Sequence, residues 1–121
     1  MSEFKPAPPY TSVVDAQWYL ATYPDVALVG ADPQQHYDLH GIAEGRLPRY
    51  LQAWRLESAL YGGFAKLALP ELKFLQATTD DREEMAYASW ALARWHASAA
   101  QWPEALQYID VLAEPLPAYI R

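Results

Sequence analysis

The sequence predicts an all-α protein. No segment sustains the alternation of apolar and polar residues that a half-buried strand requires. Apolar residues instead recur at intervals of three and four along several stretches, which is the spacing of one helix face. The 10 prolines and five glycines fall mostly between those stretches, where helices begin and end. We therefore expect short helices that share one apolar interior.

Composition narrows the class of protein further. With 121 residues that are 52% hydrophobic, the chain suits a single compact domain, either whole or a fragment of a larger protein. The net charge of -6 disfavours nucleic acid and anionic lipid as partners. No apolar run approaches a membrane span, and the chain has no cysteine. We expect a cytoplasmic protein that needs no cofactor.

The first 14 residues are predicted to form an extended leader, because three of the first ten are prolines. A module of short helices is expected over residues 15–48. Its first helix covers residues 16–22, and Asp15 is suited to cap it.

The same pattern repeats twice within this module. Pro24 suits the first position of a second short helix, which Gly30 closes in a left-handed conformation. Asp32 then caps a third helix that Pro33 opens, and Gly41 is expected to end it.

Residues 49–121 are predicted to form helical hairpins. Pro48 suits the start of a helix that runs to about Tyr61, where a glycine pair ends it. In the next segment, residues 64–77, Pro70 is expected to break or restart the helix. The predicted buried face comprises Phe64, Leu67, Ala68, Leu72 and Leu75.

The clearest helix begins at Asp80, with Glu83 completing a capping box. Its buried stripe comprises Met85, Ala88, Leu92, Trp95 and Ala99. Pro103 opens a last helix that Pro115 stops, with the inward positions Trp102, Ala105, Leu106, Ile109 and Leu112.

Residues 85–112, "MAYASWALARWHASAAQWPEALQYIDVL", resemble one tetratricopeptide helix pair, within a predicted hairpin at residues 80–114. His96 replaces the usual tyrosine and Leu112 a small residue. The positions that match are Leu92, Ala93, His96, Ala100, Trp102 and Ala105. Since such arrays normally need about three repeats, the resemblance implies a following domain or a partner chain.

Residues 15–48 resemble a segment of bacterial cell-surface polysaccharide glycosyltransferases, of the form D-x-x-Y-Y-L, Y-P-D-V, D-P-x-x-H-Y and G-x-x-E-G-R-x-P. Trp18 stands where tyrosine is commoner. The matching residues are Tyr19, Leu20, Tyr23, Pro24, Asp25, Val26, Asp32, Pro33, His36, Tyr37, Gly41, Glu44, Gly45, Arg46 and Pro48. The resemblance implies an accessory or amino-terminal module beside a catalytic domain, in cytoplasmic glycan assembly.

Two histidines raise the question of a metal site. His36 and His40 are four residues apart, so one helical face would carry both, as in zinc sites. No third ligand can be assigned, and the glutamate of the metalloprotease motif is absent. We therefore expect no metal, with His36 packed inside the module and His40 near a helix end.

Three charged residues could have either a catalytic or a structural role. Asp25, Glu44 and Arg46 could supply an acid, a base and an anion clamp, or they could tie adjacent turns by charge-assisted hydrogen bonds. The second interpretation is favoured, because no nucleophile elbow, phosphate loop or dinucleotide motif accompanies them. We expect no catalytic residue and no enzymatic activity in this chain.

The aromatic residues have two interpretations as well. A platform on which sugar rings stack could include some of eight residues, namely Trp18, Tyr19, Tyr23, Tyr37, Trp54, Trp90, Trp95 and Trp102. Alternatively they fill the core, as predicted for Trp95 and Trp102, while Trp90 falls off the buried stripe.

The expected function is a noncatalytic protein–protein interaction or scaffolding domain of a surface-polysaccharide system. Its partner would be another protein or its own C-terminal catalytic domain, and a second copy of the chain is a further candidate. The alternative is a carbohydrate-binding module that uses exposed tryptophan and tyrosine.

Overall fold

The computed structural model describes residues 11–109, 112 and 115–120. The predicted all-α class is confirmed, since these residues contain helices and no strand. A π-helical turn, Tyr37–Gly41, continues the third helix. The helices are α1 (Ala16–Thr22), α2 (Pro24–Leu28), α3 (Pro33–His36), α4 (Gln52–Tyr61), α5 (Ala65–Thr78), α6 (Arg82–Ser98) and α7 (Trp102–Leu106).

The described residues form two compact units. The short-helix unit contains residues 11–50 and 117–120, and the hairpin unit contains Leu51–Leu116. Pro117 and Ile120 are buried in the short-helix unit, so the apolar chain segment after the hairpins is used in packing. Most of the predicted leader lies outside the described residues.

Local sequence signals set the helix starts of the short-helix unit. The Asp15 carboxylate accepts a hydrogen bond from the Trp18 amide at 3.1 Å, and Asp32 caps α3 in the same way. Pro24 and Pro33 occupy first helical positions, where a missing N–H costs nothing. These predictions are confirmed.

The π-helical turn ends at Gly41, as predicted. Gly41 is buried, and a Cβ atom there would lie 2.5 Å from the Tyr19 hydroxyl. The residue with a left-handed backbone follows at Gly45, whose φ of +77° suits glycine. The Arg46 amide then donates to the Gly41 carbonyl at 2.9 Å, which closes the turn as a Schellman motif does. Glycine is therefore needed at position 41, because the Tyr19 hydroxyl lies close to the backbone there.

The start of α4 was also predicted incorrectly. Pro48 lies outside the helix, and its carbonyl accepts from the Asp15 amide at 3.0 Å. The helix begins at Gln52, and Leu51 before it provides no side-chain cap. A carboxylate 32 residues further along the chain, Glu84 of α6, caps it instead. Pro48 predicts a start nearby, and no residue next to Gln52 in the sequence indicates that Glu84 caps the helix.

Helix α5 passes through Pro70 without a break, contrary to expectation. Proline removes one helical hydrogen bond, from its own nitrogen to the carbonyl of residue 66. Pro70 and Lys66 are both exposed, so water can solvate that carbonyl. Helix α5 packs on both α4 and α6 and buries Leu72 after the proline, and this packing offsets the loss.

Helix α6 is the centre of the hairpin unit and packs against α4, α5 and α7. Its cap is Asp81, one residue later than predicted, with its carboxylate accepting from the Glu83 and Glu84 amides. Burial extends around most of its circumference. The expected stripe is therefore too narrow, and its last member, Ala99, is exposed.

Helix α7 is shorter than predicted. It ends at Leu106, and the following turn carries bonds of the i to i-3 type, such as Tyr108 to Ala105 at 3.2 Å. Ala105 and Tyr108 fill the interior, with the Tyr108 ring stacked on His96. Trp102 is 59% exposed, so its assignment to the core is wrong. Leu106 and Ile109, also predicted to face inward, are exposed.

Candidate functional site

The residues of the glycosyltransferase-like segment converge in the short-helix unit. Tyr19, Val26 and Tyr37 form its buried core cluster. The Tyr19 ring meets Tyr37 edge-on at 6.1 Å and Tyr23 at 4.9 Å between centroids. Trp18 in turn lies edge-on to Tyr23 at 6.0 Å. Such T-shaped pairs stabilise a core beyond the burial of their area.

Both histidines border this cluster. The Tyr19 hydroxyl and His36 Nδ1 are 2.9 Å apart and share a hydrogen bond. Burial raises the pKa of Tyr19, so its hydroxyl stays protonated over the ordinary pH range. His40 lies one turn on, with its ring centroid 5.5 Å from that of His36. Across the described ranges no group of three residues could hold a metal ion.

Arg46 is the centre of the charged part of the segment. Its guanidinium donates to both oxygens of Asp25, at 2.7 and 3.0 Å, and lies 3.1 Å from Glu44. It also covers the Tyr23 ring at 4.7 Å. The ion pair lowers the pKa of Asp25 and raises that of Arg46. The Tyr23 hydroxyl accepts from the Leu47 amide at 3.0 Å, which fixes the ring.

This geometry fits a structural role for the charged and aromatic residues of the segment better than a catalytic or ligand-binding role. Asp25, Glu44 and Arg46 bind one another across the start of α2 and the turn after the π-helix. Tyr19 and Tyr37 have no exposed surface, so neither ring offers a face to a ligand.

Trp90 belongs to the hairpin unit and is half-buried. Its ring meets Tyr87 edge-on at 5.3 Å, and the Arg94 guanidinium covers it at 4.5 Å. Both neighbours belong to a polar network that sequence reasoning missed. The Tyr87 hydroxyl donates to Glu57 at 2.6 Å, and Arg94 lies 3.6 Å from the same carboxylate. Burial and this carboxylate raise the pKa of Tyr87.

A different feature of the hairpin unit faces outward. Phe64, Leu67 and Phe74 are 62%, 70% and 71% exposed, and we call these three side chains the α5 surface. The sequence prediction placed Phe64 and Leu67 on the buried face, which is wrong. The burial predicted for Ala68 and Leu72 on the same segment is confirmed. Helix α5 carries two apolar stripes, and periodicity alone does not say which one packs.

Two hollows lie along the α5 surface. The first, about 300 Å³, is lined by Phe64, Leu67 and Ala68 and by Arg55 and Ala59 of α4. The second, about 450 Å³, is lined by Pro70, Phe74, Leu75 and Thr78 and by Gln52 of α4. Glu71 borders both. Together they form an elongated, mainly apolar depression, which we call the α5 groove.

Comparisons with protein-family models, with curated proteins and with solved structures found no match to this chain. Among the described residues, no helix has the length and apolar character needed to cross a membrane.

Proposed function

We propose that this chain is a noncatalytic protein-interaction domain that docks a protein partner along the α5 groove. The observation that carries the proposal is the exposure of Leu67 and Phe74 on α5 and of Phe64 at its N-cap. Isolated apolar side chains are common on protein surfaces, but a line of large ones beside a depression is typical of interaction sites.

The arrangement of the helices supports this proposal. Each of α4 to α6 packs on the helix that follows it, and α4 also packs on α6. That pattern is expected of two stacked helical hairpins, which is the predicted tetratricopeptide-like arrangement. Arrays of this kind present extended surfaces to proteins.

The cellular setting follows from the resemblance of residues 15–48. We infer that the partner is a glycosyltransferase of surface-polysaccharide assembly, either as a separate protein or as a catalytic domain of the same polypeptide, acting in the cytoplasm. The contacts of Arg46 with Asp25, Glu44 and Tyr23 support treatment of this segment as one structural module.

Co-purification tests the proposal. The chain is co-expressed with the glycosyltransferase domain encoded beside it, or in the same reading frame, and recovered by a tag on the chain. We expect a stoichiometric complex that the double variant Leu67→Ser, Phe74→Ser disrupts. The control is Leu106→Ser, which removes a similarly exposed leucine from α7.

Retention of the complex by the double variant would contradict the use of the α5 groove. Absence of any complex with every transferase encoded in the same locus would contradict the proposed setting. Circular dichroism of each variant checks that the helices are preserved, as expected for changes at exposed positions.

One observation keeps the carbohydrate-binding alternative open to test. Trp102 exposes most of its ring, and an exposed indole is a suitable platform for a sugar. Titration with capsular or lipopolysaccharide oligosaccharides would then change the tryptophan fluorescence, and Trp102→Ala would abolish the change. Unchanged spectra at millimolar oligosaccharide would eliminate this function.

A further inference from the structure

The α5 groove has a direction and a spacing that limit what can occupy it. Gln52, at the start of α4, shares a hollow with Phe74, near the end of α5. Ala59, near the end of α4, shares the other hollow with Phe64. The two helices therefore run antiparallel, and the hollows follow one another along the α5 axis.

The distance between the hollows follows from helix geometry. Leu67 lines the first hollow and Phe74 lines the second, and these two residues are seven apart on α5. At 1.5 Å per residue this separation is about 10 Å. Two side chains of a partner must span the same distance on one face to fill both hollows.

An α-helix meets this requirement and an extended chain does not. Residues i and i+7 of a helix lie on one face about 10.5 Å apart. In an extended segment, side chains on one face repeat about every 6.7 Å, so successive pairs give about 7 or 13 Å. The groove lies between two helices whose backbone groups are paired internally, so strand addition has no edge to use.

The charges of the groove specify the polar part of the partner. Glu71 lies between the two hollows, and Arg55 borders the first. Both side chains are exposed, and neither is paired with another residue in the described part of the chain. A cation on the partner, between its two apolar residues, would meet Glu71.

We propose that the α5 groove binds an amphipathic α-helix with two large apolar side chains seven residues apart and a lysine or arginine three or four residues after the first. This inference rests on the proposed interaction function and names the partner's recognition chemistry. The apolar pair fills the hollows, and the cation pairs with Glu71. Apolar anchors supply most of the affinity, and the charge selects the partner.

The test uses a phage-displayed library of helical peptides randomised along one face. Selection on the wild-type chain is expected to enrich apolar residues at i and i+7 with lysine or arginine at i+3 or i+4. The variant Leu67→Ser, Phe74→Ser serves as the subtraction control, since it removes one apolar side chain at each hollow. No enrichment over that control would overturn the proposal, and so would a consensus without the seven-residue spacing.

Charge reversal provides the second measurement. The strongest enriched peptide is titrated against the wild type and Glu71→Lys by fluorescence anisotropy. We expect roughly three- to tenfold weaker binding to Glu71→Lys, as for a surface charge pair that becomes repulsive. Replacing the peptide's cation by glutamate should reverse the preference. The control Glu104→Lys makes the same charge change at an exposed position on α7.

The outcomes separate this inference from the proposed function. Equal binding by Glu71→Lys and the wild type would overturn the charge pairing. A transferase complex that is lost with Leu67 and Phe74, while the selection yields no apolar pair at i and i+7, would retain the function and reject the helix chemistry. Self-association of the wild type in light scattering, abolished by the same double variant, would identify a second copy as the occupant and also overturn the proposal.

Discussion

Replacement of Glu84 tests whether one side chain of α6 holds the start of α4. Its carboxylate is nearly buried and accepts from the amides of Gln52 at 2.6 Å and Ala53 at 3.1 Å. In Glu84→Ala both donors lose their acceptor. Ala53 is fully buried, so its amide bears the full desolvation cost, while that of Gln52 can reach water.

The expected loss is about 1.5–3 kcal/mol of unfolding free energy. A hydrogen bond to a charged group contributes about 1.5–3 kcal/mol, and loss of a helix cap costs about 0.5–2 kcal/mol. The two values overlap because the cap consists of these same bonds. Glu84→Gln should lose about half as much, since the amide keeps one acceptor oxygen but no charge.

Urea unfolding followed by circular dichroism measures the loss, and native-state hydrogen exchange locates it. Only the amides of Gln52, Ala53 and the next turn of α4 should lose protection beyond the global change. The control Glu71→Ala removes an exposed, unpaired glutamate and should change stability by less than about 0.5 kcal/mol. Equal stabilities for Glu84→Ala and Glu71→Ala would refute the reasoning.

Three further predictions concern other contacts. Gly41→Ala should destabilise the short-helix unit by about 1–3 kcal/mol, because the new methyl group overlaps the Tyr19 hydroxyl. A midpoint of thermal unfolding within about 1 °C of the wild-type value would contradict this prediction. Arg46→Lys should lower the stability near neutral pH through loss of the two-point pairing, whereas Arg55→Lys should leave it unchanged. The ion pair lowers the pKa of Asp25 below its usual 3.8. Its contribution to the free energy of unfolding is therefore present above pH 3.8 and is lost as the pH falls through the lowered pKa. In urea titrations at acid pH, the stability difference between Arg46→Lys and the wild type should then become smaller. The pKa of Tyr87 is raised in the folded state, so the contribution of its hydroxyl to stability is complete below about pH 10 and is lost as the pH rises toward the folded-state pKa. Tyr87→Phe should therefore reduce the loss of stability at alkaline pH. An unchanged dependence of stability on alkaline pH would count against this prediction.

Signals within a few residues of a helix end were sufficient to predict part of this fold. Asp15 and Asp32 cap the helices expected of them, because an N-cap carboxylate reaches amides only two or three residues away. The same reasoning failed where the partner is distant. Nothing near Pro48 indicates that Glu84 will cap α4, and an exposed Pro70 is tolerated because tertiary packing outweighs one lost bond.

The candidate site was predicted less well than the helices. The segment from Asp25 to Arg46 carries paired charges and caps that sequence reasoning could propose, and the structure pairs them. The α5 groove was missed because Phe64 and Leu67 lie on one of two competing apolar stripes. Which stripe is buried depends on the shape of α4 and α6, and composition does not encode this choice locally.

The division of the chain into units has a consequence for biosynthesis. The short-helix unit includes residues 117–120, which follow the hairpin unit in the sequence. On the ribosome, Pro117 and Ile120 follow residue 50 by several seconds at ordinary elongation rates. The short-helix unit can therefore take in its last residues only after the helices of the hairpin unit have been synthesised.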